Sequence, residues 1–230
     1  MNTYDVNTGD IAVQGMNITK SVSLGSQEIN ILCDVSLDIK RKHTVSITGS
    51  SGSGKTSLLG VLAGLDLPDT GSVQLLGNEL TNMNEDQRAT VRCGEVGFVF
   101  QSFHLLPNLT ALENISLALE VTPGSVHIRE RSMTALERVG LSDHANHLPS
   151  QMSGGEQQRV ALARSVVINP SVLFADEPTG NLDYRTSDQI CDLLFSLCKD
   201  DGTTLVLVTH NQQLAARCDD QIILEAGRRV

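Results

Sequence analysis

The chain has 230 residues, enough for one substantial domain or for one domain with a helical insertion. Hydrophobic residues make up 40% and charged residues 19%, which indicates a folded globular protein rather than a long disordered chain. The formal net charge of -10 argues against nucleic acid as a partner, because an acidic surface repels a phosphate backbone.

The first half of the chain predicts a set of strands around one glycine-rich loop. Residues 1–9 are polar and are expected to form a flexible lead. Leu58, Leu59 and Leu62 are spaced to face a core, so a helix is predicted over 55–63. Alternating or continuous apolar residues predict strands over 11–22, 29–39, 45–48, 72–76 and 96–100.

The second half predicts helices first, and then strands that alternate with helices. Segment 110–168 reads as mostly helical, and Thr110 with Glu113 fits the capping-box pattern of a helix start. A helix over 183–197 separates short apolar strands, which are predicted over 172–175, 204–208 and 222–224. This alternation favours a parallel sheet with helices on both faces. No stretch approaches the roughly 20 apolar residues of a membrane span, so we expect any membrane role to come through a partner.

A glycine-rich segment between a predicted strand and a predicted helix fits G-x-x-x-x-G-K-[ST] in full. Its members are Gly49, Ser50, Ser51, Gly52, Ser53, Gly54, Lys55 and Thr56. Glycines allow several backbone N–H groups to turn inward together, and the helix N-terminus adds further donors. Lys55 can reach the β- and γ-phosphates of a nucleotide, and the Thr56 hydroxyl can hold Mg²⁺. The segment therefore predicts a phosphate-binding loop.

Two acids follow the apolar strand at 172–175. Asp176 stands where a parallel strand would deliver it to the magnesium beside the phosphate loop. Glu177 is one residue further and should point in a different direction, which suits orienting or deprotonating an attacking water. A solvated acidic strand end is the alternative, but the phosphate loop favours a catalytic pair.

The segment Ser153, Gly154, Gly155 and Glu156 has two interpretations. Two glycines at a helix start open the backbone to an approaching anion, and Ser153 supplies a hydroxyl. A second anion site suggests that the nucleotide is held between two copies of the chain. Equally, Ser-x-x-Glu before an apolar helix is an ordinary capping box, and the segment alone does not decide.

Together, these three segments make the chain resemble the ABC ATPase family from about Ile11 to the end. Gly49–Thr56 match its Walker A motif, Val172–Asp176 match Walker B, and Glu177 matches the catalytic glutamate. Residues 152–156 resemble the signature motif, usually written LSGGQ, with Met in place of Leu and Glu in place of Gln.

The resemblance implies an α/β P-loop NTPase fold. The expected domain is an ABC-type nucleotide-binding domain over 10–230, with a mixed sheet core and an antiparallel β subdomain. A helical subdomain is expected as an insertion at about 102–168. Within the family, the run from Ala175 to Asp183 looks like the lipoprotein-release and macrolide-export branch, the LolD and MacB ATPases, and further segments look most like YbbA-like ATPases.

The resemblance also assigns roles to residues whose own pattern is weak. Gln101 looks like the Q-loop glutamine, which contacts metal and water and faces the permease. Asp183 ends a segment that resembles the D-loop, and His210 matches the switch histidine that contacts the γ-phosphate. The implied catalytic residues are Lys55, Glu177 and His210. The implied ligands of Mg²⁺ are Thr56, Gln101 and Asp176.

In the implied mechanism, ATP on the phosphate loop of one copy is closed over by Ser153–Gly155 and Glu156 of a second copy, so the chain acts as a homodimer. The family further implies an integral membrane permease, FtsX- or MacB-like with four spanning helices, at the cytoplasmic face of a bacterial inner membrane. The permease would export or extract a hydrophobic compound, lipid or lipoprotein. Phe103, Leu105 and Leu106 either form a groove for a permease helix or pack within the helical insertion.

Two alternatives remain open at this stage: an ATPase whose partner only transmits a conformational signal, and a protein acting on ribosomes or DNA. The second class usually carries tandem ATPase domains or a long coiled coil, and this chain has one motif set and no heptad run. One departure from the family concerns the base of the nucleotide. Val22 occupies the position where an aromatic residue usually stacks on adenine, so only apolar contact is expected there.

Overall fold

The structure is a computed structural model that describes residues 10–25 and 27–230. The predicted flexible lead, residues 1–9, lies outside the described residues. The helices and strands in chain order are β1 (Ile11–Leu24), β2 (Gln27–Lys40), β3 (Thr44–Gly49), α1 (Lys55–Leu62), β4 (Thr70–Leu75), β5 (Asn78–Glu79), α2 (Glu85–Arg92), β6 (Val96–Phe100), α3 (Ala111–Glu120), α4 (Ile128–Arg138), α5 (Gly154–Val166), β7 (Val172–Asp176), α6 (Tyr184–Asp201), β8 (Thr204–Val208), α7 (Gln212–Ala215), β9 (Asp220–Glu225) and β10 (Arg228–Arg229).

The first of two compact units contains the described residues up to Arg92 together with Val206–Val230. Its antiparallel sheet has the strand order β2-β1-β4-β5, which confirms the predicted antiparallel strands near the start of the chain. The strands of a second sheet that belong to this unit have the order β10-β9-β3, and the last residues of β8, from Val206, lie beside β3. Strands β3 and β9 are parallel, with Gly49 opposite Leu224.

Helix α1 confirms the prediction made from its leucine spacing. Leu58, Leu59, Val61 and Leu62 are all buried in the core of this unit. Helix α2 was not predicted, because Arg88 is its only buried residue and no apolar stripe marks it. Arginine side chains hold α2 in place instead of apolar packing: Arg88 Nε and Arg92 Nη1 both donate to the carbonyl oxygen of Gly64, at 3.1 and 2.6 Å.

The second unit contains Cys93–Leu205. Strands β6 and β7 are parallel, and their register runs from Val96 opposite Val172 to Phe100 opposite Asp176. The start of β8 lies on the other side of β7. Phe174 is fully buried, and its ring stacks on that of Phe98 at 5.8 Å between centroids.

Helices α3, α4 and α5 fall in the segment that was predicted to be mostly helical, with short 3-10 turns at Ser142–His144 and Pro149–Gln151. The predicted capping box of Thr110 with Glu113 is confirmed at the start of α3. The division of the chain into a core and an inserted helical subdomain stays a prediction. Among the described residues, no helix is long and apolar enough to cross a membrane.

Candidate nucleotide site

The phosphate loop of the first unit connects the end of β3 to the start of α1. Gly54 is the N-cap residue of α1 with a left-handed φ of 98°, and as a glycine it has no side chain to cap the helix. The first amide groups of α1 are therefore available to an anion. Lys55 Nζ donates to the carbonyl oxygens of Gly49 and Ser50, at 3.0 and 2.8 Å. These bonds hold the ammonium group over the loop, where it can meet a phosphate.

The shape of this loop depends on close approach by distant backbone. A Cβ atom at position 49 would overlap the carbonyl oxygen of Leu224, and one at position 54 would lie 2.6 Å from the carbonyl oxygen of Ile31. Both positions also have positive φ, which side chains rarely adopt. Ser53 is only 2% exposed, and its hydroxyl has no hydrogen-bond partner among the described residues.

The predicted histidine lies at the carboxyl end of β8 in the same unit. The amide of Thr209 donates to the carbonyl oxygen of Ile47 on β3, at 3.2 Å. His210 follows directly and is exposed. Asn211 then caps α7 by accepting from the amides of Gln213 and Leu214. Strand β3 and the loop after β8 therefore bring His210 to the same edge as the phosphate loop.

The predicted acids of the second unit lie at the carboxyl end of β7. Because Phe100 is opposite Asp176 in the parallel register, Gln101 and Glu177 leave the same sheet edge side by side. Glu177 has a left-handed φ of 46°, which costs a non-glycine residue on the order of 1–3 kcal/mol. Strain of this kind is kept mainly at functional sites, which suggests that the Glu177 side chain must be held in one direction.

Gln101 is held by a reciprocal amide pair. Its Nε2 donates to Asn181 Oδ1, and Asn181 Nδ2 donates to the Gln101 carbonyl oxygen, both at 3.0 Å. A Cβ atom at Gly180 would lie 2.8 Å from the Gln101 side chain, so glycine at this position leaves room for the Gln101 amide where it is observed. The pair links the segment after β6 to the segment after β7.

Gln158 adds a buried polar group to the site that no motif in the sequence predicts. It is fully buried on α5, and its Nε2 donates to the carbonyl oxygens of Pro178 and Phe100, at 2.6 and 3.5 Å. Its Oε1 has no partner among the described residues. The carbonyls that it holds adjoin Glu177 and Gln101. Its sequence neighbours Gln157 and Arg159 are also polar, so no local pattern marks Gln158 as buried.

The predicted capping box at the start of α5 is also confirmed. The amide and hydroxyl of Ser153 hold the pKa of Glu156 below its ordinary value, in that order of effect. A Cβ atom at Gly155 would lie 2.7 Å from Thr186 Cγ2, so this glycine allows α6 to approach α5.

Ser153–Glu156 and Asn181–Asp183 line one cavity of about 480 Å³ within the second unit. Arg159 and His144 also line it. Asp183 is the N-cap of α6, and the Thr186 hydroxyl, followed by the Thr186 amide, lowers its pKa. The signature-like segment and the D-loop-like segment therefore line a common opening.

The segment after Gln101 is strained and held by one arginine. Phe103 and His104 both have left-handed φ values, 59° and 48°. Arg164 of α5 donates to both of their carbonyl oxygens, at 3.0 and 2.7 Å, and burial lowers the pKa of its guanidinium. Leu106 is 44% exposed, whereas Phe103 and Leu105 are half-buried. The apolar cluster thus combines packing with an exposed edge.

Val22 lies on β1 and is 42% exposed. Its cross-strand neighbour on β2 is Ile29, which is 45% exposed. The predicted position of the adenine ring is thus a small apolar surface without an aromatic face.

The phosphate loop, the two acids at the carboxyl end of β7 and the serine-capped α5 with two glycines in its first turn define a P-loop ATPase of the ABC class. A family model described as ABC transporter matches residues 32–180, and the chain belongs to this family. It is an ATP-binding and ATP-hydrolysing subunit of that class.

Named relatives confirm the branch that the sequence suggested. The chain is 53% identical over 217 residues to "Uncharacterized ABC transporter ATP-binding protein YbbA" of Escherichia coli (strain K12), covering 94% of the chain and 95% of that protein. It is 43% identical to "Lipoprotein-releasing system ATP-binding protein LolD" of Francisella tularensis subsp. tularensis (strain SCHU S4 / Schu 4), covering 90% and 91%. It is 42% identical to "Macrolide export ATP-binding/permease protein MacB" of Syntrophobacter fumaroxidans, covering 92% of the chain but 30% of that protein.

A solved structure confirms the predicted fold class. The ATP-binding cassette MJ0796, described as the dimeric structure of a post-hydrolysis state bound to ADP and Pi, superposes with a TM-score of 0.87. It shares 40% sequence identity, and the match covers 94% of this chain and 96% of that one. The chain therefore has the ABC ATPase cassette fold and binds ATP.

Proposed function

We propose that the chain hydrolyses ATP between two of its own copies and so powers a separate membrane permease. The observation that carries this proposal is the second anion-accepting helix start. A chain that already has a phosphate loop presents Ser153–Gly155 at the N-terminus of α5, facing an open cavity. One nucleotide can use both elements if a second copy supplies the second one.

On the phosphate side, Gly49–Thr56 surround the phosphates and Lys55 compensates their charge. Thr56, Gln101 and Asp176 offer a hydroxyl, an amide oxygen and a carboxylate, which fit the oxygen ligands that Mg²⁺ prefers. The bound ion would neutralise part of the phosphate charge. The reciprocal pair with Asn181 supports this role for Gln101, because it fixes the backbone that carries the amide.

Glu177 orients the attacking water, and His210 steadies the transferred phosphoryl group. The left-handed backbone of Glu177 supports its assignment, because strain of this kind is kept where a functional side chain must be held in one direction. Catalysis in such reactions comes mainly from positioning and charge stabilisation. The carbonyls adjoining Glu177 and Gln101 are held by one buried amide, which supports a site built for fixed geometry.

The Glu177→Gln variant tests the two-copy site. The amide cannot take a proton from water, so we expect ATP to bind and hydrolysis to fall at least about 100-fold, which traps a closed dimer. Size-exclusion chromatography with ATP should then show a dimer, and ADP should leave a monomer. Hydrolysis at the parent rate would refute the role of Glu177.

The permease is proposed to have four spanning helices and a large periplasmic domain, and to export or extract a hydrophobic compound, lipid or lipoprotein. The reported relatives, named as ATPases of an ABC transporter, a lipoprotein-releasing system and a macrolide exporter, support this over action on ribosomes or DNA. The chain would then lie at the cytoplasmic face of a bacterial inner membrane. The exposed edge at Leu106 supports a groove that receives a permease helix.

Co-purification from the native host tests this part. The tagged chain should sediment with membranes and leave in detergent with an integral membrane protein, which mass spectrometry identifies. Leu106→Asp should weaken that association, whereas Val121→Asp, a control at a position 64% exposed, should not. Recovery of the chain alone and soluble at native expression would refute the permease.

A further inference from the structure

The hydroxyl of Ser153 is already engaged in the structure. It donates to Glu156 Oε2 at 2.8 Å, and the Ser153 amide donates to the same oxygen at 2.7 Å. A serine hydroxyl has a single hydrogen. It cannot donate to this carboxylate and to a phosphate at the same time. A nucleotide that reaches Ser153 must therefore displace Glu156, and a carboxylate is a stronger competitor than the neutral glutamine of the usual motif.

His144 offers the displaced carboxylate another partner. Its Nε2 lies 3.4 Å from Glu156 Oε1, the oxygen that the hydroxyl of Ser153 does not use. Its ring packs edge-on against that of His147, with centroids 4.9 Å apart. The Nδ1 atoms of both rings are buried and have no hydrogen-bond partner among the described residues. Nε2 is thus the ring nitrogen of His144 that faces a partner among the described residues, at ion-pair distance from Glu156.

We propose that His144 is a positioning residue, which takes over the Glu156 carboxylate when a phosphate of the nucleotide takes the Ser153 hydroxyl. The inference rests on the proposed two-copy site and deepens it. His144, Ser153 and Glu156 line the same cavity, so the exchange needs only side-chain rotation. About one third of the His144 and Glu156 side chains is exposed, 33% and 32%, which leaves both free to rotate.

The chain contains a matched control for this exchange. At the start of α3, the amide and hydroxyl of Thr110 donate to Glu113 Oε2, both at 2.8 Å, as Ser153 does to Glu156. No ion pair with histidine is found for Glu113 in the described part of the chain. Glu113→Gln therefore weakens a capping box of the same kind without touching the cavity.

The test measures the ATP concentration at which half of the full chain is dimeric, in the Glu177→Gln background. His144→Leu should raise this concentration about tenfold, the size of one charge-assisted hydrogen bond. His144→Gln, which keeps an N–H donor, should restore most of the loss. With Glu156→Gln also present, His144→Leu should have less than about a twofold effect, because the charged competitor is gone. Glu113→Gln should cause no shift.

An equal effect of His144→Leu with Glu156 or with Gln at that position would overturn the inference, and so would no effect with Glu156. Either result would leave the two-copy site standing if ATP still produced the dimer. Failure of the Glu177→Gln chain to dimerise, with ATP turnover in the unsubstituted chain, would instead refute the two-copy site and the inference with it. Thermal unfolding of each variant shows whether the fold is retained.

Discussion

Replacing the buried Gln158 by Met should reduce turnover far more than stability. The Pro178 carbonyl would lose a donor at 2.6 Å, which costs about 1–3 kcal/mol for a buried acceptor. Removing the unpartnered Oε1 offsets on the order of 1 kcal/mol, and Met fills a similar volume. The net loss in the free energy of unfolding is then at most about 2 kcal/mol, or at most roughly 8 °C in Tm for a chain of this size.

Turnover depends on the residues that adjoin the two carbonyls. Glu177 precedes Pro178 and Gln101 follows Phe100, so both would lose a fixed neighbour. A displacement of about 1 Å in a reacting group can cost about 100-fold in rate. We therefore expect kcat to fall at least tenfold, while the Kd for ATP changes less than about twofold because the phosphate loop is untouched.

The assay combines steady-state ATPase kinetics, ATP binding and thermal unfolding. Ser165→Ala is the control on the same helix: Ser165 is buried, but its hydroxyl donates to the Leu162 carbonyl of its own helix at 2.7 Å. It should lower Tm slightly and leave kcat unchanged. If Gln158→Met and Ser165→Ala lower Tm alike and neither alters kcat, Gln158 serves packing alone and the reasoning fails.

Two further predictions concern the base of the nucleotide and acid stability. Val22→Tyr should tighten ATP binding about threefold to tenfold through ring stacking, while Ile29→Tyr serves as the control; equal gains in titration calorimetry would contradict a specific platform. The Thr44 amide, and then its hydroxyl, depress the pKa of Asp219, so this carboxylate stabilises the fold above the ordinary value of 3.8 and the contribution disappears as pH falls through the lower pKa. Asp219→Asn should therefore lower Tm at neutral pH and converge with the parent in acid; a constant difference would count against this linkage.

Helices and helix starts that depend on nearby residues could be predicted from the sequence. The predicted helix over 55–63 is observed as Lys55–Leu62, and the predicted helix over 183–197 as Tyr184–Asp201. Both capping boxes were read from four residues, because their partners are local. The carboxyl ends of the strands were also predictable, since apolar runs end at Gly49 and near Asp176.

What the sequence did not reveal depends on distant backbone. Helix α2 is anchored by two arginines on the carbonyl of Gly64, a contact with no sequence pattern. Gln158 and Arg164 likewise bind carbonyl oxygens far along the chain. His144 was missed because its partner Glu156 lies twelve positions further on, across a 3-10 turn. Side chains that bind distant backbone carbonyls leave no periodic pattern in the sequence by which they could be found.

In the close contacts around the phosphate loop, one partner tolerates mutation and the other does not. Gly49 approaches the carbonyl oxygen of Leu224, while Gly54 and Gly227 both approach that of Ile31. Every residue type has a backbone carbonyl, so these contacts do not restrict the side chains at positions 31 and 224. The three glycines cannot be replaced in the same way, because any side chain would collide with those carbonyl oxygens. Grafting the eight-residue motif into another protein would consequently fail to reproduce the loop unless the C-terminal hairpin and the second strand were transferred as well.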